Sequence, residues 1–393
     1  MMQINQKIVL FSFLLLFLNC ASKKEVARES FVTKANAVLK EQVLAEAEKA
    51  LLEQPITVTN ESSSRSAGGK HDFYSEGDYW WPDENNPDGP YVQKDGLTNP
   101  ENFVAHRLAM IRLCKIVGAL ASAYKLTGEE KYVKQASKHL EAWFINSETK
   151  MNPNLQFAQA IKGKFTGRGI GIIDTIHLMD VAQGTLVMQN ELDKSVFESV
   201  QKWFSEYLNW MMTSQNGKDE MNAKNNHGTC FVIQVASFAT LTNDKELLAF
   251  SSNRYKTVLL PNQMAQDGSF PLEMARTKPY GYALFNLDAM VTLCQILSTN
   301  EDNLWEFTTS NGLNIKKGIE FMYPFVEDKS KWTLQPDVMY WDEWPVAQPA
   351  FIFGANAYNN NDWFLVWKKL EHNPQVQEVV RNLAVKNPII WMN

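Results

Sequence analysis

The stretch NNHGTCFVIQVASFATL, Asn225–Leu241, joins two kinds of sequence. Three polar side chains, Asn225, Asn226 and His227, come first. An apolar run with helical period follows at once, from Cys230 to Leu241. A helix this apolar belongs in a protein interior. Its polar entrance then has to serve some purpose. An N-cap accounts for one asparagine, because its side-chain oxygen receives one of the free N–H groups at a helix start. It does not account for a second asparagine and a histidine.

The same period recurs outward in both directions. Residues 35–53 carry strong helix formers. Phe103–Leu126 is apolar at helical spacing and stops at Gly128, and Glu129–Phe144 follows as an amphipathic partner. Gly171–Val187, Lys194–Met212, His227–Leu241, Lys245–Leu259, Tyr282–Leu297 and Ile315–Phe325 continue the series, with two short helices after Asp362. Apparent strands are few and short. Helix pairs joined by short turns predict an all-α chain, an (α/α) toroid or incomplete barrel of helical hairpins with long aromatic-rich loops. No repeat of the tetratricopeptide kind is present, which ranks the toroid above a solenoid. In a toroid the groove lies at one mouth, built from helix ends and loops.

Composition bounds the partner. The 393 residues are 45% hydrophobic and 21% charged, with 38 basic against 44 acidic residues and a formal net charge of −6. No Lys/Arg run or basic stripe appears, which argues against nucleic acid. Aromatics make up 12%, a supply that suits a large core or a groove that stacks sugar rings. The segment from Lys70 to Pro100 is rich in Pro, Gly, Asp and Asn, yet carries Tyr74, Tyr79, Trp80, Trp81 and Tyr91. Loops of this length are functional or disordered, and the aromatics favour an ordered, functional one.

The N-terminus reads as an export signal. An apolar run from Ile8 to Leu18 follows Lys7 and is too short to span a bilayer. Cys20 comes directly after it, an arrangement that resembles a bacterial lipoprotein box with Cys20 as the lipidated residue. The expected plan is a signal over 1–20, a polar tether over 21–34, and one domain over 35–393, exported to the periplasm or cell surface and anchored to the outer membrane. Cys114, Cys230 and Cys294 lie in apolar runs without metal spacing and read as core residues. The six histidines are scattered, so neither a metal nor a cofactor is called for.

Four stretches hold residues able to do chemistry. Besides Asn225–His227 there is DGSFPLEMARTKPYGYALFNLDAM, Asp267–Met290, which presents Glu273, Arg276, Tyr280 and Tyr282 ahead of a helix. The structural alternative pairs Arg276 with Glu273 at helix spacing and leaves the tyrosines on a rim. Gly167-Arg168-Gly169-Ile170-Gly171 does not match a dinucleotide loop, but its glycines allow a sugar chain to approach the backbone beside Arg168. His177, on an apolar face, reads as a core histidine. Met339–Ala350 sets Tyr340, Trp341 and Trp344 around Asp342 and Glu343, fit for stacking sugars or for closing the core. Lys70, His71 and Arg107 are further cations, of the kind that more often sit solvated on a surface.

Asn-Asn-His at a helix start, then D-G-x-x-P-x-E-x-x-R with a tyrosine soon after, resembles the alginate lyase superfamily of polysaccharide lyases over about residues 70–350. The glycine–Arg168 block and the YWWPD loop, Tyr79–Asp83, are similar to its lipoprotein branch, polysaccharide lyase family thirty-eight. The resemblance implies an α/α toroid that cleaves alginate or glucuronan by β-elimination. It implies Asn226 and Arg276 as stabilisers of the charge that develops on the uronate, and His227 and Tyr282 as the proton-transfer groups. The tyrosine is Tyr282, six positions after Arg276, or Tyr280, with Tyr282 the better fit. Tyr282 serves alone as base and acid in a syn elimination; His227 is base and Tyr282 acid in an anti elimination. Asn225, Arg168, Tyr280, Glu273, Tyr79, Trp80, Trp81, Tyr340 and Trp341 are the expected substrate-binding residues. Two rivals remain. A glycoside hydrolase would use two of Asp174, Glu273 and Asp342. A glycan-binding lipoprotein would use the aromatics alone.

Overall fold

The computed structural model describes residues 29–392. The export and lipidation readings at residues 1–20, Cys20 included, lie outside them. So does most of the expected tether, but its end is corrected: residues 31–34 already belong to a helix, whose first turn is capped by the Ser30 hydroxyl accepting from Thr33 N–H.

In chain order the helices are α1 (Phe31–Ala50), α2 (Ala105–Thr127), α3 (Glu130–Phe144), α4 (Leu178–Val187), α5 (Lys194–Thr213), α6 (Gln215–Met221), α7 (Asn226–Thr242), α8 (Lys245–Arg254), α9 (Leu260–Gln263), α10 (Pro271–Met274), α11 (Pro279–Leu297), α12 (Ile315–Glu327), α13 (Pro349–Tyr358), α14 (Asn361–Lys369) and α15 (Gln377–Arg381). The expected Gly171–Val187 helix is in fact a 3₁₀ stretch, Gly169–His177, that hands over to α4. The expected Lys245–Leu259 helix passes through a π turn at Tyr255–Leu259 before α9. Neither α6 nor α13 is evident from periodicity. α6 is about two polar turns, and α13 is apolar nearly all the way round.

Sequence decides which helices sit inside. α7, α11 and α13 are buried almost all the way round, as their uninterrupted apolar runs demand. α3, α5, α12 and α14 bury one stripe and show charge on the other. Packing follows this division. α2, α4, α7, α11 and α13 touch in succession, and α1 bridges α13 back to α2. The outer helices lie against them: α3 on α2, α5 on α7, α12 on α11, α14 on α13. The result is the α/α toroid. Cys114, Cys230 and Cys294 are free and buried in it.

Short strands gather the long loops at one mouth. β1 (Tyr74–Glu76) pairs parallel with β4 (Phe157–Ala160), and β2 (Trp80–Trp81) pairs antiparallel with β3 (Val92–Gln93). The C-terminal segment returns to the same region. Asp180, fully buried on α4, accepts from Lys386 N–H at 2.9 Å, Asn387 N–H at 3.1 Å and Trp391 Nε1 at 2.7 Å. That anchor fixes α15 beside the loops.

Candidate active site

The N-termini of α7 and α11 meet at this mouth. Asn225 caps α7, its Oδ1 accepting His227 N–H at 3.3 Å. The capping reading therefore holds for Asn225, which is absent from the cavity wall. Its two neighbours do something else.

Asn226 is buried and bound twice to Glu273. Its backbone N–H donates to Oε1 at 2.6 Å and its Nδ2 to Oε2 at 2.5 Å. Glu273 is itself buried, and burial pushes its pKa up against the two Asn226 bonds. It is thus the holder of Asn226, and the expectation that it binds substrate is corrected. His227 gives its Nδ1 to Glu220 Oε1 at 2.7 Å, and that carboxylate is wholly buried. The carboxylate fixes the tautomer, so Nε2 is the ring nitrogen left for the cavity.

Arg276 lies just past α10, outside any helix, so helix spacing to Glu273 does not apply to it. It binds Asp95 instead, Nη2 to Oδ1 at 2.8 Å and Nε to Oδ2 at 3.3 Å. Its guanidinium carbon stands 4.4 Å from the Tyr282 ring centroid, and its Nη2 is 3.4 Å from the Tyr282 hydroxyl. That hydroxyl is 2.7 Å from the hydroxyl of Tyr79. Burial, and then Tyr79, push the Tyr282 phenol well above its ordinary pKa, while Lys278 and Arg276 pull the other way. Tyr282 is therefore protonated at neutral pH.

These groups line one open cavity of about 110 Å³ with Asp78, Tyr79, Trp80, Gln93, Gln159, Arg168, Ile170, Ile173, Phe285, Arg381 and Asn382. Among the described residues, the hydrogen-bond partner of Arg168 is neutral. Its Nε donates to the Gln159 carbonyl at 2.8 Å, and its guanidinium lies 5.8 Å from the Trp80 ring centroid. Burial pushes its pKa down to about 10. Gln159 has φ of 49°, a left-handed value uncommon outside glycine and asparagine. Its N–H bond to Ser75 Oγ at 2.9 Å holds it there, strain of the kind found at binding sites.

Other expected residues lie elsewhere. Tyr280 is fully buried; its hydroxyl donates to the Phe325 carbonyl at 3.0 Å and its ring packs on Trp332 and Trp341. Tyr280 and Tyr282 are two positions apart on α11, roughly 200° around a helix, so only one can face the cavity. Trp341 is committed to Tyr280. Trp81 donates Nε1 to the Leu97 carbonyl at 2.9 Å and stays off the wall. Tyr340 lines a small adjoining recess with Lys278, Tyr282, Trp344 and Asn382. Of the weaker cations, Lys70 is exposed, His71 binds the Lys150 carbonyl, and Arg107 is buried between Asp78 and Asp174. His177 is a core histidine, its Nδ1 2.9 Å from Lys386 Nζ. A larger cavity, about 330 Å³, opens between α1, α2 and the C-terminal segment. None of the expected site residues lines it, so size alone does not mark the site.

Sequence reasoning missed Glu220, Asp95, Lys278 and Arg381. Lys278 binds Glu378 at 2.7 Å beneath Tyr79, and Arg381 binds Asp78 at 2.7 Å and Glu378 at 3.1 Å. The carboxylates a hydrolase would need are dispersed. Asp174 pairs with Arg107, Glu273 holds Asn226, and Asp342 is exposed.

A toroid whose mouth gathers imidazole, guanidinium, amide and phenol, with no facing carboxylate pair, is that of a polysaccharide lyase. The chain belongs to the alginate lyase family, whose model matches residues 57–332. Among solved structures it is similar to an alginate lyase from Bacteroides ovatus, at 30% identity and a TM-score of 0.79, over 92% of this chain and 97% of that one. It is also similar to alginate lyase A1-III from Sphingomonas species A1, at 16% identity and a TM-score of 0.53, over 85% and 89%. A histidine-to-alanine variant of A1-III complexed with a tetrasaccharide matches at 18% identity and a TM-score of 0.53, over 82% and 85%. None of the curated proteins compared by sequence matches the chain.

Proposed function

We propose that this lyase cleaves a uronic-acid polymer, alginate or glucuronan, by β-elimination, leaving a 4,5-unsaturated uronate end. The observation that carries the reading is the convergence of His227, Asn226, Arg276 and Tyr282 on one cavity. The similarity to an alginate lyase over nearly the whole chain supports alginate.

The C5 proton of a uronate is weakly acidic while its C6 carboxylate keeps full charge. Arg276 and Asn226, already oriented by Asp95 and Glu273, receive that carboxylate and stabilise the enolate-like charge as C5–H breaks. The electron pair of that bond forms C4=C5, the C4–O4 bond breaks, and O4 takes a proton. Tyr282, protonated at rest, supplies the O4 proton. When C5–H and C4–O4 lie on one face, Tyr282 first loses its own proton to solvent, aided by Arg276 and Lys278 beside its ring, then takes the C5 proton and hands that proton to O4. When they lie on opposite faces, His227 Nε2 takes the C5 proton, backed by Glu220.

Export and a lipid anchor at Cys20 fit a polymer too large to enter a cell, and rest on the sequence of residues 1–20. The test is to assay His227→Ala and Tyr282→Phe proteins on alginate and glucuronan for the ultraviolet absorbance of the unsaturated product. Each variant is expected to lose at least about a hundredfold in kcat. Wild-type rates in both refute the assignment.

A further inference from the structure

We propose that the Ile161–Phe165 hairpin and Trp80 form a second sugar subsite, for a uronate unit beyond the one that reacts. This rests on the uronan reading above.

Trp80 is shared between two places. One part of it lines the reaction cavity, and its ring also carries Lys164, whose Nζ stands 4.7 Å from the centroid. Trp80 is placed by a close approach: a side chain on Gly77 would come within 2.7 Å of its Cδ1 and 2.9 Å of Arg168 Nη2. The hairpin leaves β4 directly after the cavity residue Gln159. Ile161 N–H donates to the Phe165 carbonyl at 2.8 Å, and Phe165 N–H to the Ile161 carbonyl at 3.0 Å. Tyr91 N–H donates to the Lys162 carbonyl at 3.1 Å, tying the hairpin to the aromatic loop. Gly163 has φ of +74°, and a Cβ there would lie 2.9 Å from Pro90 Cα. Only glycine lets the two backbones meet.

This pinned hairpin presents exposed side chains to solvent. Phe165 is 55% exposed. Lys162 and Lys164 are exposed, and among the described residues neither has a carboxylate within ion-pair distance. Their recorded partners are ring faces, Tyr91 for Lys162 and Trp80 for Lys164. Lys94, on the neighbouring loop, is by contrast paired with Glu84. The chain as a whole carries a formal charge of −6, so an anionic polymer needs local positive charge to approach. Two ammonium groups without an ion-pair partner, beside the half-buried rings of Trp80 and Tyr91 and the exposed ring of Phe165, fit a sugar with one apolar face and one carboxylate. A polyuronate repeats that unit along its chain. A chain seated in the cavity and leaving past Trp80 meets the hairpin next.

The experiment uses the whole protein with Lys162→Ala/Lys164→Ala, Phe165→Ala and Lys164→Arg. Initial rates are read on size-defined uronate oligomers from the shortest cleaved upward, and on polymer. The double variant is expected to lose about tenfold in kcat/KM on polymer and long oligomers, through KM. The shortest cleaved oligomer should react as before, Lys164→Arg should keep most of the affinity, and added salt should shrink the wild-type advantage. Equal loss at every length, or none at any length, overturns the subsite. Retardation in gels containing alginate or glucuronan reads the subsite without turnover. If wild-type protein makes no unsaturated product, the lyase chemistry fails. Even then, retardation relieved in the double variant supports the subsite, and retardation unrelieved, or absent in wild type, overturns it.

Discussion

Tyr79→Phe isolates one hydrogen bond at the reacting phenol. The Tyr79 and Tyr282 hydroxyls are 2.7 Å apart, and only one of the two can donate. In the resting groove the bond joins two neutral groups and is worth about 1 kcal/mol. As Tyr282 passes its proton to O4, its oxygen gains negative charge and becomes the acceptor. The bond is then charge-assisted, worth about 1.5–3 kcal/mol. The gain at the transition state is the difference, roughly 0.5–2 kcal/mol, or about two- to thirtyfold in kcat. Tyr79→Phe should therefore lower kcat by that factor with little change in KM. In a Tyr282→Phe background the same change should cost less than about twofold, since the partner oxygen is gone. The assay is the unsaturated-product absorbance for all four members of the cycle, with melting temperatures to show each is folded. An unchanged kcat in the single variant, or the same fractional loss in both backgrounds, refutes the reasoning.

Glu220→Gln keeps an acceptor for His227 Nδ1 but removes its charge, so kcat should fall by about fivefold; Glu220→Ala, which frees the ring, should fall further, and equal rates in the two would show the carboxylate does not position His227. Arg381→Met leaves Asp78 and Glu378 buried with one cation fewer. Denaturant unfolding should show a loss of about 3–5 kcal/mol, and a loss under about 1 kcal/mol would mean the network relaxes without it. The same network sets an acid limit. Burial alone would raise Asp78 and Glu378, but Arg107 and Arg381 outweigh it at Asp78, and Arg381 and Lys278 at Glu378, so both sit below their ordinary values. A carboxylate depressed in the fold stabilises above its unfolded pKa, about 4. That contribution is lost as pH falls through the lower folded value. Helical circular dichroism should therefore hold down to about pH 4 and fall below it; loss already complete at pH 6 contradicts the sign.

Much of the fold is legible because inner helices of a toroid are apolar all round and outer ones on a stripe. Those patterns survive in a linear reading. What escapes it is local. α10 ends at Met274, so Arg276 leaves the helix and its expected partner Glu273 is already taken by Asn226. Nothing in the spacing predicts Asp95, 181 residues away, as the group that holds Arg276. Choosing between Tyr280 and Tyr282 needs the start of α11 at Pro279, because the two point to opposite sides of it. Trp81 and Trp341 look as sugar-ready as Trp80, and only the loop's path turns them away.

The cavity wall follows a rule that explains these misses. Four of the groups on the wall are held from behind by a carboxylate: His227 by Glu220, Asn226 by Glu273, Arg276 by Asp95, and Arg381 by Asp78 and Glu378. Each carboxylate is spent on orientation, which is why the site holds acids without a pair free to hydrolyse a glycosidic bond. Except for Glu220, six to seven residues from its partner's start of helix, and Glu378, the holders come from distant segments, so closure of the ring is what assembles them. Among the wall's guanidinium groups Arg168 is the exception: it has Gln159 and Trp80 for company, and among the described residues no carboxylate within ion-pair distance. Asp78, Glu220 and Asp174 act on it only from beyond ion-pair distance, so an arriving anion would make its first direct ion pair. The N-termini of α7 and α11 add their positive ends to the same mouth. Among the described residues, Arg168 thus has no direct carboxylate partner, and a uronate carboxylate would supply one.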